Sequence, residues 1–425
     1  MPLSRFANRA ERLVYRIAGL PVAVRMLLDI SADDGSDPLR SAFANSYWHP
    51  DGAVEWSELV AGLVLWPLAI LLASAWFTWR NGAEINRRHH KHLATQLGEQ
   101  LRLYFSAGVF PPWYYIFSLH EDGRRRAPSF IQRFETKTCY FRLLKRRKGT
   151  PLNDKQRFAD FCAKRRIRCV ETLISLAGEM PGQALPERDL FVKPTCGRGG
   201  RGAERWDYAG SASFVSPEGE RLPGDELLLR LTERSRHRPL IVQPRLRPHA
   251  DLRDFTAGAL PTVRVLTCLD ANGDPEVIGA IMRTSIGANK TVDNLHAGGI
   301  AAAADLATGR LSKATNLGSD ASVGWFAIHP DTNAAIDGRV LPCWPEVKSA
   351  AMAAHRAFCD RVVIGWDIAI LDDGPIIVEG NGNPDLDILQ RFMRKGLREH
   401  RFGALLAHHL RTRIAAAADD QRRQP

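Results

Sequence analysis

A chain of 425 residues, 45% of them hydrophobic, is long enough for two or three domains and a sizeable core. Its 58 lysines and arginines against 47 acids leave a net charge of +11. No aromatic-rich nucleic-acid motif accompanies them, so anionic lipid or an anionic substrate is the expected partner and nucleic acid is not. Seven cysteines stand scattered, with no CxxC pair and no zinc-ligand spacing, which excludes a zinc module and points to reduced thiols.

In chain order, residues 1–58 read as an N-terminal arm with an acidic, turn-rich stretch at ISADDGSDP. Leu59 to Trp79 is an uncharged run of 21 residues, and about 20 residues of helix cross a hydrocarbon core. Trp56 precedes it and Trp76 and Trp79 lie at its far end, as in interfacial aromatic belts. Asp51, Glu55 and Glu58 lie before the run and Arg80, Arg87, Arg88 and Lys91 after it. The positive-inside bias then gives a single-pass protein of the plasma (inner) membrane with its catalytic part facing the cytosol. Two other readings stay open: a buried core helix, or a re-entrant segment beside a basic N-terminal helix lying on the inner surface. Residues 80–150 read as a basic, mainly helical linker domain interrupted by VFPPWYY.

Beyond residue 150, Leu190 to Trp206 (LFVKPTCGRGGRGAERW) delivers Lys193 on an apolar run into a loop holding Gly197, Gly199, Gly200 and Gly202. Glycines let backbone N–H groups approach phosphate oxygens, and the lysine adds a point charge. The loop lacks the GK[ST] of a Walker loop and the spacing of a dinucleotide fingerprint. Asn272-Gly273 is a hairpin turn signal, and Trp344 to Cys359 reads as a helix with Pro345 near its start.

Val362 to Asp387 (VVIGWDIAILDDGPIIVEGNGNPDLD) reads as two strands around Asp372-Asp373-Gly374. Folding the ribbon about Asp373 sets Asp367 opposite Glu379, Ile368 opposite Val378 and Ile370 opposite Ile376. Like charges so close are destabilising in a sheet unless a cation lies between them. Asn381, two residues on, adds a carbonyl oxygen to the same side, and this set suits Mg²⁺. Asp385 and Asp387 either shape the substrate end or cap the helix that starts at DILQRFM. The tail 416–425 reads as disordered.

These features together resemble the ATP-grasp superfamily from about Leu152 to Ala415. The shared motifs are a first lysine on a helix (Lys155 in PLNDKQRFADFC), a second before the Gly-rich loop (Lys193), a hinge strand (Leu240 to Gln243) and late ligands Asp367, Glu379 and Asn381. VDNLHAGGIAAAADL, with Asn294 and His296, is similar to the N-L-H-x-G-G of α-L-glutamate ligases, although Ala297 departs from the basic residue often found there. PPWYYIFSLHED, PLNDK and LPTVRVLT around Arg264 resemble the sugar-transfer-associated ATP-grasp group most.

The resemblance implies an α+β ATP-grasp fold over residues 151–415, with a smaller lobe at about 185–245 and a larger one at about 246–415 clasping ATP between them. A mainly helical region and an N-terminal transmembrane helix would precede it. It implies ATP and Mg²⁺ as cofactors. Lys155, Lys193, the loop glycines and Gln243 would bind ATP, and Asp251 (or Asp254) the ribose. Arg283, Arg264, Asn294 and His296 would handle the transferring phosphoryl group and the substrates. The implied reaction is carbon–nitrogen bond formation between a carboxylate and an amine through an acyl phosphate. A cell-surface sugar, glycolipid, lipid-linked sugar or polysaccharide precursor is the expected substrate. A phosphotransferase on the same fold, or an inactive membrane scaffold, are the alternatives.

Overall fold

The computed structural model describes residues 9–28, 37–50, 52–143, 150–197, 199–256, 258–287, 290–295, 298–318 and 320–422. Two six-stranded antiparallel sheets form the C-terminal half. The smaller lobe joins β1 (Ile174–Leu176), β2 (Leu190–Pro194), β3 (Glu204–Tyr208), β4 (Ser213–Val215), β5 (Arg221–Pro223) and β6 (Leu240–Pro244) in the order β1-β6-β2-β3-β4-β5. The larger lobe joins β7 (Thr262–Leu269), β8 (Pro275–Thr284), β9 (Ile300–Ala304), β10 (Leu311–Thr315), β11 (Val363–Leu371) and β12 (Gly374–Asn381) in the order β10-β9-β8-β7-β11-β12.

Strand alternation divides the larger sheet into a core face and a working face. Val263, Val265, Ala280, Met282, Ile364, Trp366 and Ile368 point to one side, into a core shared with a helix over Trp344–Ala357. The intervening residues Arg264, Leu266, Ile281, Arg283, Val363 and Asp367 point to the other. Its apolar part (Leu266, Ile281, Val363) is covered by helices over Leu386–Phe392 and Arg401–Arg422, leaving the charged part for the cleft.

The β7–β8 hairpin turns at Asn272-Gly273 as expected. Gly273 has φ +89°, and Asp270 Oδ1 accepts from the backbone N–H groups of Asn272 and Asp274. The β11–β12 hairpin corrects part of the expected register. Asp367 does face Glu379, but Ile368 pairs with Ile377 and Ile370 with Pro375. Gly374 at φ +108° tightens the turn to Asp372-Asp373, and a bulge between Asp367 and Ile368 takes up the extra residue of β12.

The N-terminal region is helical: α1 (Arg9–Leu28), α2 (Pro38–Trp48), α3 (Ala53–His89), α4 (Leu93–Ala107), α5 (Pro111–Ile116), α6 (Leu119–Arg126) and α7 (Arg133–Leu143). The expected arm thus folds into α1 and α2, which bury Tyr15, Ala18, Phe43 and Tyr47 against α3 and α7; its ISADDG segment lies outside the described residues. The apolar run is central to α3, whose 37 residues include a window of mean hydropathy 2.1, long and apolar enough to cross a membrane. The final helix continues to Arg422 where the sequence reads as a disordered tail, consistent with the helix propensity of its alanine run.

Candidate active site

The two lysines expected to bind ATP, Lys155 and Lys193, are brought to one region through backbone contacts. Helix α8 (Lys155–Lys164) starts at Asp154, whose carboxylate caps it by accepting from Arg157 N–H at 2.9 Å. Lys155 N–H donates to Thr195 O, docking the helix start on the end of β2. Lys155 Nζ then lies 3.2 Å from Gly197 O and 3.9 Å from Glu379 Oε2. Lys193 on β2 is buried, and burial in company with Lys155 lowers its ammonium to about 8 despite the opposing pull of Glu379.

All four loop glycines take positive φ, from +68° at Gly200 to +137° at Gly197, conformations that side chains resist. The loop reaches across the cleft. A Cβ on Gly199 would stand 3.1 Å from Asn294 Nδ2, and one on Gly200 2.9 Å from Val292 Cγ1. Asn294 is therefore beside the loop, on the opposite lobe. His296 lies outside the described residues. Gln243 is buried on the hinge strand, its amide donating to Val170 O at 3.3 Å.

On the working face, Asp367 is held by two arginines. Arg264 Nε and Nη2 both donate to it, the latter at 2.9 Å, and Arg283 Nη2 lies 3.1 Å away. Burial alone would raise the Asp367 carboxyl, but Arg264 and Arg283 outweigh it and hold the group well below the carboxylate range. Glu379 faces Asp367 across the ladder and lies 3.5 Å from Asn381 Nδ2. Two carboxylates and the Asn381 amide thus converge beside the cleft, with the Glu379 side chain 32% exposed. This set fits Mg²⁺, which takes few protein oxygens and completes its shell with water and phosphate.

Sequence reasoning missed four groups here. Asp293 is partly buried, its side chain 13% exposed, 3.5 Å from Arg283 Nε, and accepts from the Thr262 hydroxyl, which in turn accepts from Arg283 Nη2 at 2.6 Å. Burial raises its carboxyl despite Arg283. Asp293 immediately precedes Asn294, and Thr262 faces Arg283 in the β7–β8 register, so both had a local signal. Lys137 and Arg133 come from α7. Lys137 Nζ reaches Asp385 Oδ1 at 2.8 Å and Asn383 Oδ1 at 3.2 Å, and Arg133 Nη2 reaches Asp385 Oδ2 at 3.3 Å. Nothing local could reveal a contact spanning 248 positions. Asp387 is buried behind them and its carboxyl is raised by burial and by Asp385.

Asp251 lies elsewhere. Its side chain is 72% exposed beside His249, next to the β11–β12 turn, where Ala250 N–H donates to Asp372. Five strand residues separate that turn from Glu379, about 17 Å. Asp254 is paired with Arg339 at 2.6 Å.

Two α+β lobes closing a glycine-rich loop and two lysines over a carboxylate pair define an ATP-grasp protein. The chain belongs to the sugar-transfer associated ATP-grasp family, whose sequence model matches residues 136–403. Among solved structures it is similar to D-cycloserine synthetase (16% identity, TM-score 0.37, covering 61% of this chain and 71% of that one). It is also similar to the D-alanine–D-alanine ligase of Bacillus anthracis complexed with ATP (12%, 0.32, 64% and 68%). A third is the L-amino acid ligase of Bacillus licheniformis (9%, 0.38, 69% and 59%). No curated protein matches the chain. The family match alone carries the assignment.

Proposed function

We propose that this protein is an ATP- and Mg²⁺-dependent ligase that joins a carboxylate to an amine through an acyl phosphate. The substrate is a sugar, glycolipid or amino-acid-bearing polysaccharide precursor handled at the inner face of the plasma membrane. The observation that carries the reading is the pairing of Asp367 with Glu379 across β11 and β12, Asn381 beside them and Lys155 3.9 Å from Glu379.

Asp367, Glu379 and Asn381 would hold Mg²⁺, which supplies charge neutralisation to the nucleotide phosphates when bound. Lys155, Lys193 and the N–H groups of the 197–202 loop bind and orient those phosphates. A substrate carboxylate oxygen attacks the γ-phosphorus, the bond to ADP breaks, and an acyl phosphate forms. An amine then attacks the acyl carbon, phosphate leaves, and the amine gives up a proton as the amide forms. Such chemistry needs positioned charge more than a protein nucleophile. Arg283 and Arg264, paired with Asp367, would turn from it toward the transferring group. Lys137 and Arg133 hold the Asn383–Asp385 loop that follows the ligands, and so shape the acceptor end.

Hydroxylamine supplied with candidate carboxylates, among them uronic acids and amino acids, tests the reaction. A hydroxamate formed only with Mg²⁺ and ATP supports the acyl phosphate. A stable phosphoester on an alcohol, with no hydroxamate, would replace the ligase by a phosphotransferase. Glu379→Gln should lower turnover by about 100-fold or more while the protein stays folded. Retained activity in that variant removes the metal assignment.

A further inference from the structure

Helix α3 is amphipathic in the reverse sense to a helix of a water-soluble core. Its buried stripe carries most of its polar and small residues, Glu55, Glu58, Gly62, Ser74, Thr78, Asn81 and Gly82, with Leu59, Ile70 and Ile85 among them. Its outward stripe is apolar, with Val60 55%, Val64 69%, Leu68 59%, Leu72 60%, Trp76 54% and Trp79 72% exposed. Only 22% of its most apolar window is buried, so the core-helix reading does not describe it.

The inward stripe is held along its length. Glu58 accepts from Arg12 Nη2 of α1 at 2.6 Å, and a Cβ on Gly62 would stand 2.9 Å from Arg16 Cβ. Gln100 of α4 donates to Thr78 Oγ1 at 2.7 Å, Gln96 donates to Gly82 O at 2.9 Å, and Asn81 Oδ1 accepts from Ala321 N–H of the larger lobe at 2.8 Å. These contacts bracket the whole apolar run. A crossing by α3 would therefore drag α1 and α4 into hydrocarbon with it, and α4 turns Thr95, Arg102 and Ser106 outward. Polar and charged groups at that depth are costly.

We infer that α3 lies in the plane of the membrane rather than across it. Its outward stripe sinks among the acyl chains of the cytosolic leaflet while the stripe against α1 and α4 stays on the protein. Phe105 of α4, 54% exposed and packed edge-on to Trp66 at 5.8 Å, widens the apolar face. Trp56, Trp76 and Trp79 mark its two ends, as tryptophans do at the headgroup level. Exposed Arg80 and Arg102, with Arg87 beyond, make the rim basic. That rim complements anionic headgroups and would repel the same rim on a second copy.

The inference rests on the membrane attachment proposed above, and one experiment on the full-length protein separates the two. Ser57, exposed just before the stripe, is replaced by Cys, and a membrane-impermeant maleimide is applied to right-side-out and to inside-out membrane vesicles. The expected result is added labelling over the parent only in inside-out vesicles, on the side where Cys196 and Cys359 also react. Labelling of position 57 in right-side-out vesicles overturns the in-plane arrangement in favour of a crossing helix and leaves attachment standing. In parallel, Leu68, Leu71 and Leu72 are replaced together by Ser, and flotation on phosphatidylglycerol-containing vesicles should weaken by more than about a hundredfold, with the Mg-ATP thermal shift retained. Unchanged flotation of this variant overturns the assignment of the stripe. A parent protein that neither floats nor sediments with membranes, and runs as a dimer, removes attachment and inference together and assigns the stripe to a second copy.

Discussion

Lys193 shows how one buried residue sets a pH window. Burial brings its ammonium down to about 8 in the fold from an ordinary value of 10.5. Below about 8 the group is charged in both folded and unfolded chains, and the fold carries the full penalty of burying the charge. Between about 8 and 10.5 the unfolded chain holds the proton and the folded one does not, so this residue's contribution to stability rises with pH. Phosphate binding runs the other way, because only the charged lysine attracts it. ATP affinity should therefore fall above pH 8, by up to about tenfold per unit, and Lys193→Met should remove that step from an isothermal titration series. The lysine and its loop were legible because glycine-rich phosphate loops carry their chemistry in adjacent residues. Lys137 was not, since its partners Asn383 and Asp385 come within reach only through the tertiary fold. Lys137→Met should raise KM for the acceptor while KM for ATP holds, a split that steady-state kinetics can read.

At the scale of elements, the reading of the β11–β12 hairpin matches the register at Asp367 and Glu379 and misses it nearer the turn. Alternation of apolar residues constrains which face a residue occupies, and so it found Asp367 opposite Glu379. It cannot foresee a bulge, which depends on how a turn closes. Gly374 at φ +108° permits that closure, so Gly374→Ala should destabilise the protein by about 1–3 kcal/mol in urea titration. The cap of α8 is a second such point. Asp154→Ala removes the acceptor for Arg157 N–H and should cost about 1 kcal/mol. It should also weaken ATP binding, because the same turn carries Lys155 to the loop.

Over the whole molecule, the boundary between the helical region and the catalytic lobes is crossed by buried polar contacts. Arg398 donates to Glu135 of α7 at 2.6 Å and is also paired with Asp37 before α2. Gln390 Oε1 accepts from Ile131 N–H at 2.9 Å while its amide donates to Ile131 O at 2.9 Å. Leu39 and Ala42 of α2 share a cluster with Leu405 and Leu410 of the last helix. Sequence reading drew a linker at 80–150 because helix periodicity reports a face but not what covers it. A chain cut before Asn81 would expose Phe134 and the Leu39 side of that cluster. It should accumulate in the insoluble fraction or unfold at markedly lower urea than the full chain.

The two guanidinium groups on Asp367 have a further consequence. Arg264 and Arg283 are the counter-ions of Asp367, the place a divalent cation would take on the proposed metal assignment. On the proposed metal assignment Mg²⁺ would have to displace both guanidinium groups, leaving Arg264 without its carboxylate and Arg283 with Asp293 and Thr262 alone, so the metal alone should bind weakly. Once triphosphate is present the displaced arginines find new anions, and metal entry no longer strands them. The two ligands are then thermodynamically linked, each raising the other's affinity by the same factor. A site so built would be biased against standing loaded with metal before its nucleotide arrives.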